Sequence, residues 1–137
     1  MADSLVDIAV FGENPVIRRV DRRTVLFVRG DRGDEAYAVR SGAVEVRGAG
    51  MAITTLGPGG LFGDMALIDN QPRSASAVAL VNTEMVVIDR ACFHRLVSES
   101  AEFSLLVMRV LAGRLRETDR ALMDHIENLP LGARRAS

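Results

Sequence analysis

The residues able to do chemistry concentrate between Leu61 and Ser76, where Gly63-Asp64-Met65-Ala66 is followed by Pro72-Arg73-Ser74-Ala75-Ser76. Arg73 carries a planar fork of donors that matches the oxygens of a phosphate. It heads a run of small residues, Ser74, Ala75, Ser76 and Ala77, which leaves room for a bulky anion beside one cation. The stretch Phe62 to Ile68 is amphipathic but too short to stand alone as a helix. A turn of helix starting near Gly63 still offers backbone N–H groups without intrahelical partners, and its dipole favours negative charge. Gly63 lets the backbone come close to a ligand. Asp64 cannot ligate the same anion, because like charges repel, so it must face a donor such as a sugar hydroxyl. An anion with a donor hydroxyl describes a nucleotide. Spacing alone leaves a second reading open, in which Arg73 is exposed and Asp64 caps a surface turn.

The elements that must position these residues are short. Gly57-Pro58-Gly59-Gly60 ends a strand ahead of the site, and Asp69-Asn70-Gln71-Pro72 breaks the chain behind the apolar turn. Nine of the 12 glycines lie between Gly30 and Gly63, as repeated tight turns require. Val25–Val28, Ala36–Arg40, Ala43–Arg47, Met51–Leu56, Ser76–Leu80 and Glu84–Ile88 are each of strand length, with Gly48-Ala49-Gly50 as a hairpin loop and Asn82 joining the last two. Val44 and Val46 share one face while Glu45 and Arg47 share the other, the alternation of a half-buried antiparallel strand. Such strands predict a closed or sandwiched antiparallel roll.

Helices flank that roll. Leu5, Ile8 and Ala9 predict a short N-terminal helix within Met1–Phe11, ending before Gly12 and Pro15. Asp89 is placed to cap a helix carrying Phe93, Leu96 and Val97, which Ser98-Glu99-Ser100 interrupts. A longer helix runs from about Ala101 to Asn128, until Pro130 and Gly132. Along it Met108, Leu111, Leu115, Thr118, Leu122, His125 and Leu129 alternate in steps of three and four, a heptad seam with two polar positions. Packing on the chain's own roll accounts for Met108, Leu111 and Leu115. Leu122 and Leu129 lie beyond the roll's reach and predict a parallel homodimer along the C-terminal half. The fold is therefore read as mainly β with flanking α, in a single domain. An arm covers 1–14, the roll 15–89 with the site in 61–76, helices 90–129 and a frayed tail 130–137.

Composition narrows the chemistry further. A length of 137 residues suits one domain, and 48% hydrophobic with 26% charged residues is an ordinary globular balance. A net charge of −1 gives no reason to expect nucleic acid or a membrane surface as partner. All 17 basic residues are arginine, which removes the phosphate-loop lysine and any Schiff-base lysine. Cys92 is alone, so disulfides and thiolate metal sites are excluded, and a reducing compartment is compatible. His94 and His125 lie far apart and are read as surface or packing residues, with no metal. Neither a leader nor a membrane-spanning run is present in the sequence, so a cytoplasmic location is expected. The glycine run fails the dinucleotide spacing, because Phe62 stands where the third glycine belongs.

The stretch Phe62-Gly63-Asp64-Met65-Ala66-Leu67, with Pro72-Arg73-Ser74-Ala75-Ser76 after it, resembles the phosphate-binding cassette of the cyclic nucleotide-binding domain family. Upstream, Gly30, Asp31, Gly33, Asp34, Tyr37, Gly42 and Val44 stand in the register of that family's strand-turn-strand pattern. The resemblance spans roughly Val16 to Met123 and departs at Asp64, where the family carries glutamate. It implies a β-roll of jelly-roll type that binds a cyclic nucleotide without catalysis. Its ligand-binding set becomes Gly63, Asp64, Met65, Ala66, Arg73, Ser74, Ala75 and Thr118. Arg73 would pair with the cyclic phosphate, helped by Ser74 and the amides after Gly63, and Asp64 would accept from the ribose hydroxyl. Strand alternation puts Ser74 on the opposite face from Arg73, Ala75 and Ala77, so both reach one ligand only if the regular strand begins after Ser74. Val46, Met65 and Leu67 are expected to border the base.

Residues Gly113 to Arg120 resemble the matching helix of bacterial transcription activators of the catabolite-activator type. There a threonine at the position of Thr118 contacts the adenine amino group, partly across the dimer. That favours cyclic AMP over cyclic GMP, although the Ser74 hydroxyl could accept from a guanine amino group in a folded-over conformation. In those activators a DNA-binding helix-turn-helix follows. Here the sequence stops within about ten residues of the helix end, so no such module is expected, and no downstream partner is named. The alternative is a degenerate roll that has lost its ligand and serves as a dimerisation or interaction module, a reading that Asp64 keeps alive. A cupin-like metal enzyme ranks last, because neither histidine falls on an expected strand.

Overall fold

Residues 5–48, 53–128 and 130 are described in a computed structural model of the chain. Eight strands run β1 (Ile17–Val20), β2 (Val25–Phe27), β3 (Glu35–Ser41), β4 (Val44–Arg47), β5 (Ile53–Leu56), β6 (Leu61–Phe62), β7 (Ser76–Ala79) and β8 (Thr83–Asp89). A one-turn helix α1 (Met65–Asp69) sits between β6 and β7, and α2 (Arg90–Glu99) and α3 (Ala101–Glu127) follow β8. The strands form two antiparallel sheets, in the orders β1-β8-β3-β6 and β2-β7-β4-β5.

Alternation along β3 and β8 divides the interior in two. Ala36, Ala38, Val86 and Ile88 face the helices, where they meet Leu61, Leu67, Phe93, Leu96, Phe103, Leu106 and Val107. Small residues on this side of β3 let the helix aromatics approach, and Phe93 meets Phe103 edge to face at 5.8 Å. Tyr37, Val39 and Met85 face the other way and fill the space between the sheets with Phe27, Val44, Phe62 and Ala77. The cassette reaches both cores: Leu61 of β6 and Leu67 of α1 lie in the helix-side cluster, Phe62 of β6 and Ala77 of β7 in the cluster between the sheets.

The expected strands from Val25 onward are all present. Met51–Leu56 is seen as β5 from Ile53, while Met51, Ala52 and most of the Gly48-Ala49-Gly50 loop lie outside the described residues. The structure adds β1 and β6. The former carries exposed Arg18 and Arg19 side by side, which hides the period-two signal, and the latter is two residues long.

At the N-terminus the expected helix is, among the described residues, a single 3-10 turn, Ile8–Phe11, with residues 1–4 outside the description. The Val6 N–H donates to the Gly59 carbonyl at 2.8 Å, so this backbone is committed to the glycine turn rather than to a helix. Asp7 caps the short turn through Oδ1, which accepts from Ala9 N at 3.0 Å.

Both C-terminal helices start where side-chain caps predict. Asp89 Oδ1 accepts from Cys92 N at 2.7 Å, and Ser100 Oγ accepts from Phe103 N at 3.1 Å. On α3, Phe103, Leu106 and Val107 are buried and Leu111 is half-buried. Met108 and Leu115 are 59% and 63% exposed, so the helix does not pack on its own roll through those two positions. Leu122 is 56% exposed, and Leu129 lies outside the described residues, as does the tail from 131 onward.

Candidate functional site

Arg73 precedes β7 in an irregular segment whose backbone is pinned to the loop between β2 and β3. Its N–H donates to Asp31 O at 2.7 Å and its carbonyl accepts from Gly30 N at 2.9 Å. The side chain turns inward and is only 6% exposed. Nη1 donates to the Gly63 carbonyl at 2.8 Å, and Cζ lies 4.1 Å from the centre of the Phe27 ring. Tyr37 stands further off, 5.9 Å from Cζ. Among the described residues Nε has no hydrogen-bond partner. The small-residue run after Arg73 suggested little local packing for it. Instead Phe27, from a strand distant in sequence, supplies an aromatic face.

Asp64 closes β6 into α1 and is fully buried at 0% exposure. It does not cap the turn through its side chain. Arg114 of α3 brings Nη1 to 3.0 Å from Oδ1, and its Nη2 donates to Leu61 O at 3.0 Å. The first contact is an ion pair off the hydrogen-bonding line, since neither carboxylate oxygen has a hydrogen-bond donor. A buried carboxylate is thus partly neutralised yet keeps both oxygens free to accept. The surface-loop reading fails on both counts, because Arg73 and Asp64 are both buried and Asp64 makes no side-chain cap bond.

Gly63 has φ +76, a left-handed conformation, and an added Cβ would meet Arg73 Nη1 at 2.9 Å. The first bond within α1 runs from Leu67 N–H to Asp64 O at 3.0 Å, which leaves the amides of Met65 and Ala66 ahead of it without an intrahelical acceptor. Ser74 is exposed, with its hydroxyl 3.9 Å from the Met65 sulfur. Regular strand begins only at Ser76, so Arg73 and Ser74 meet the condition for serving one ligand. Ala75 is half-buried beside them.

One expected border of the base stands elsewhere. Leu67 is buried against the helix-side core and does not border an open site, whereas Val46 and Met65 remain half-buried. Thr118 is exposed on α3, its hydroxyl donating to the Arg114 carbonyl at 3.1 Å.

Arg114 escaped the sequence reading, although it lies one helical turn before Thr118 and so on the same face. Arg90 was missed too. It heads α2 and its Nη1 donates to Asn70 Oδ1 at 2.7 Å and to Leu67 O at 3.3 Å, closing the C-terminal end of α1. A cleft of about 560 Å³ opens beside this clamp, between Arg32, Asp34, Gln71 and Arg90. Ala66, Asn70, Gln71 and Pro72 of the cassette line it together with Gly33, while Asp64 and Arg73 do not.

Around the site, Arg18 Nη1 donates to Glu35 Oε1 at 3.0 Å and the Tyr37 hydroxyl donates to the same oxygen at 2.8 Å. The Arg18 hydrogen bond holds the Glu35 carboxyl below the usual glutamate range. Burial, and then that bond to Glu35, push the Tyr37 hydroxyl above the usual tyrosine value, keeping it neutral beside Arg73.

A model of the cyclic nucleotide-binding domain matches residues 17–100. Among curated proteins, the CRP-like cAMP-activated global transcriptional regulator of Mycobacterium tuberculosis is 33% identical over 110 residues, 77% of this chain and 49% of that protein. Among solved structures, the catabolite activator protein of Thermus thermophilus superposes with a TM-score of 0.71 at 36% identity, covering 82% of this chain and 55% of that one. The cGMP-bound form of the EAL enzyme Bd1971 gives a TM-score of 0.61 at 34% identity, covering 82% of this chain and 31% of that one. The chain spans about half the length of the Mycobacterium tuberculosis regulator and of the cyclic AMP receptor protein of Thermus thermophilus. With the roll, the cassette and these matches together, the chain belongs to the cyclic nucleotide-binding domain family.

Proposed function

We propose that this chain is a non-catalytic sensor whose cassette takes a cyclic nucleotide and reports the occupancy through α3. The observation that carries this is Arg73, a cation 6% exposed whose Nε lacks a partner among the described residues. A buried charge left partly unpaired is costly unless an anion completes it, and a cyclic phosphate supplies the matching oxygens. Stacking on Phe27 offsets part of that cost in the free protein. The amides of Met65 and Ala66 and the Ser74 hydroxyl are the supporting donors, while Asp64 accepts from the ribose hydroxyl.

Arg114 gives the coupling a physical route. A ribose hydroxyl donating to Asp64 shares the carboxylate that α3 already holds at 3.0 Å, so ligand and helix act on one buried group. The exposed apolar row Met108, Leu115 and Leu122 supports pairing of α3 with a second copy of the chain. Cyclic AMP is favoured over cyclic GMP, on the Thr118 position and on the cAMP-activated relative. The cGMP-bound neighbour makes the guanine nucleotide the necessary competitor.

The Asp64–Arg114 pair also favours a second reading, a roll already closed without ligand that serves only to dimerise. Calorimetric titration with cyclic AMP and cyclic GMP separates the two. Saturable heat with cyclic AMP at lower concentration than with cyclic GMP is expected. Silence from both nucleotides at millimolar concentration would establish the ligand-free module instead.

A further inference from the structure

Gly33 lies in the β2–β3 loop with an ordinary, negative-side backbone, so no turn geometry demands a glycine there. Its missing side chain has a different neighbour. A Cβ built at Gly33 would stand 2.1 Å from Arg73 Nε, 2.3 Å from Cζ and 2.7 Å from Nη2. A Cβ at Gly63 would meet Nη1 at 2.9 Å, and Phe27 covers the flat of the guanidinium at 4.1 Å. The loop cannot simply drift away, because Gly30 and Asp31 are hydrogen-bonded to the backbone of Arg73 itself. We infer that Gly33 is a positioning residue for ligand binding: with Gly63 it forms a slot that sets where the Arg73 guanidinium presents its donors. This rests on the reading of Arg73 as the phosphate ligand.

The argument distinguishes packing from presentation. The group that a methyl at Gly33 displaces is the far end of a flexible side chain, so the fold can accommodate it by swinging the guanidinium aside. Binding cannot, because phosphate recognition by arginine depends on the direction of its fork.

The test is a cycle of Gly33→Ala, Arg73→Ala and the double variant, read by calorimetric titration with cyclic AMP and by thermal melting. Gly33→Ala should weaken binding about tenfold or more while Tm stays close to wild type. In the Arg73→Ala background the added methyl should change affinity by less than about twofold, since nothing remains to misplace. Wild-type affinity in Gly33→Ala, with Arg73→Ala clearly impaired, would overturn the slot while leaving the phosphate assignment standing. Wild-type affinity in Arg73→Ala would instead overturn that assignment, and the inference with it. If Gly33→Ala alone fails to fold, a double variant that folds supports the clash. A double variant that also fails shows that the loop backbone, not the guanidinium, requires glycine, and overturns the slot.

Discussion

Asp64 combines full burial, two oxygens without hydrogen-bond donors and a stem one methylene shorter than the family's glutamate. The shorter stem stops the carboxylate about 1.3–1.5 Å short of where glutamate would place it. A ribose hydroxyl is then held weakly or through water. Asp64→Glu should therefore tighten cyclic AMP by about 0.5–2 kcal/mol, with little gain for the 2′-deoxy analogue, which lacks the partner. Weaker binding of cyclic AMP by the glutamate variant would mean that the shorter acid is a fitted contact. Glu35 yields a pH prediction. Its carboxyl is held low chiefly by Arg18, so the stability it contributes is present above the ordinary glutamate range and is lost as pH falls through its depressed value. Melting curves of Glu35→Gln and wild type should separate near neutral pH and converge in acid. A gap independent of pH would show that Glu35 acts by packing alone.

At the scale of elements, α3 meets the cassette through its apolar face and through Arg114, and leaves an apolar row uncovered. Arg114→Ala should lower stability by about 1–3 kcal/mol, because it strips the counter-ion from a buried carboxylate, the loss being reduced by the solvent access of Arg114. Unchanged melting would mean that Asp64 is satisfied in another way. Leu115→Asp with Leu122→Asp should convert a dimer into monomers in sedimentation, since each places a charge in the seam. A wild-type chain that sediments as a monomer at micromolar concentration, with and without cyclic AMP, would contradict pairing through α3.

Much of this layout was legible in the residues. Asp89 announces the start of α2 and Ser98-Glu99-Ser100 the break before α3, and alternation with glycine turns announces every strand from Val25 onward except the two-residue β6. The spacing of Gly63 and Arg73 suggests a shared pocket, and the two meet in the structure. What stayed hidden depends on contacts between segments far apart in sequence: Phe27 under Arg73, Gly33 against its guanidinium, Arg114 over Asp64. No local pattern encodes those meetings. The N-terminal segment misled for the same reason, as the bond from Val6 to Gly59 overrides a helical spacing of apolar residues.

For the whole molecule, the cassette contributes side chains to both cores, so occupancy of the site should register as global stability. Saturating cyclic AMP at about 100 times its Kd should raise unfolding free energy by about 2.7 kcal/mol, seen as a higher Tm. No shift in Tm under calorimetric saturation would mean that the nucleotide binds the unfolded chain as well. The central claim is that Arg73 binds the phosphate. Calorimetric titration of wild type and Arg73→Ala with cyclic AMP, each checked by melting, tests it most directly. Loss of about 2–5 kcal/mol of binding free energy in a variant that still folds is the expected result. Wild-type affinity in the folded Arg73→Ala variant would contradict it.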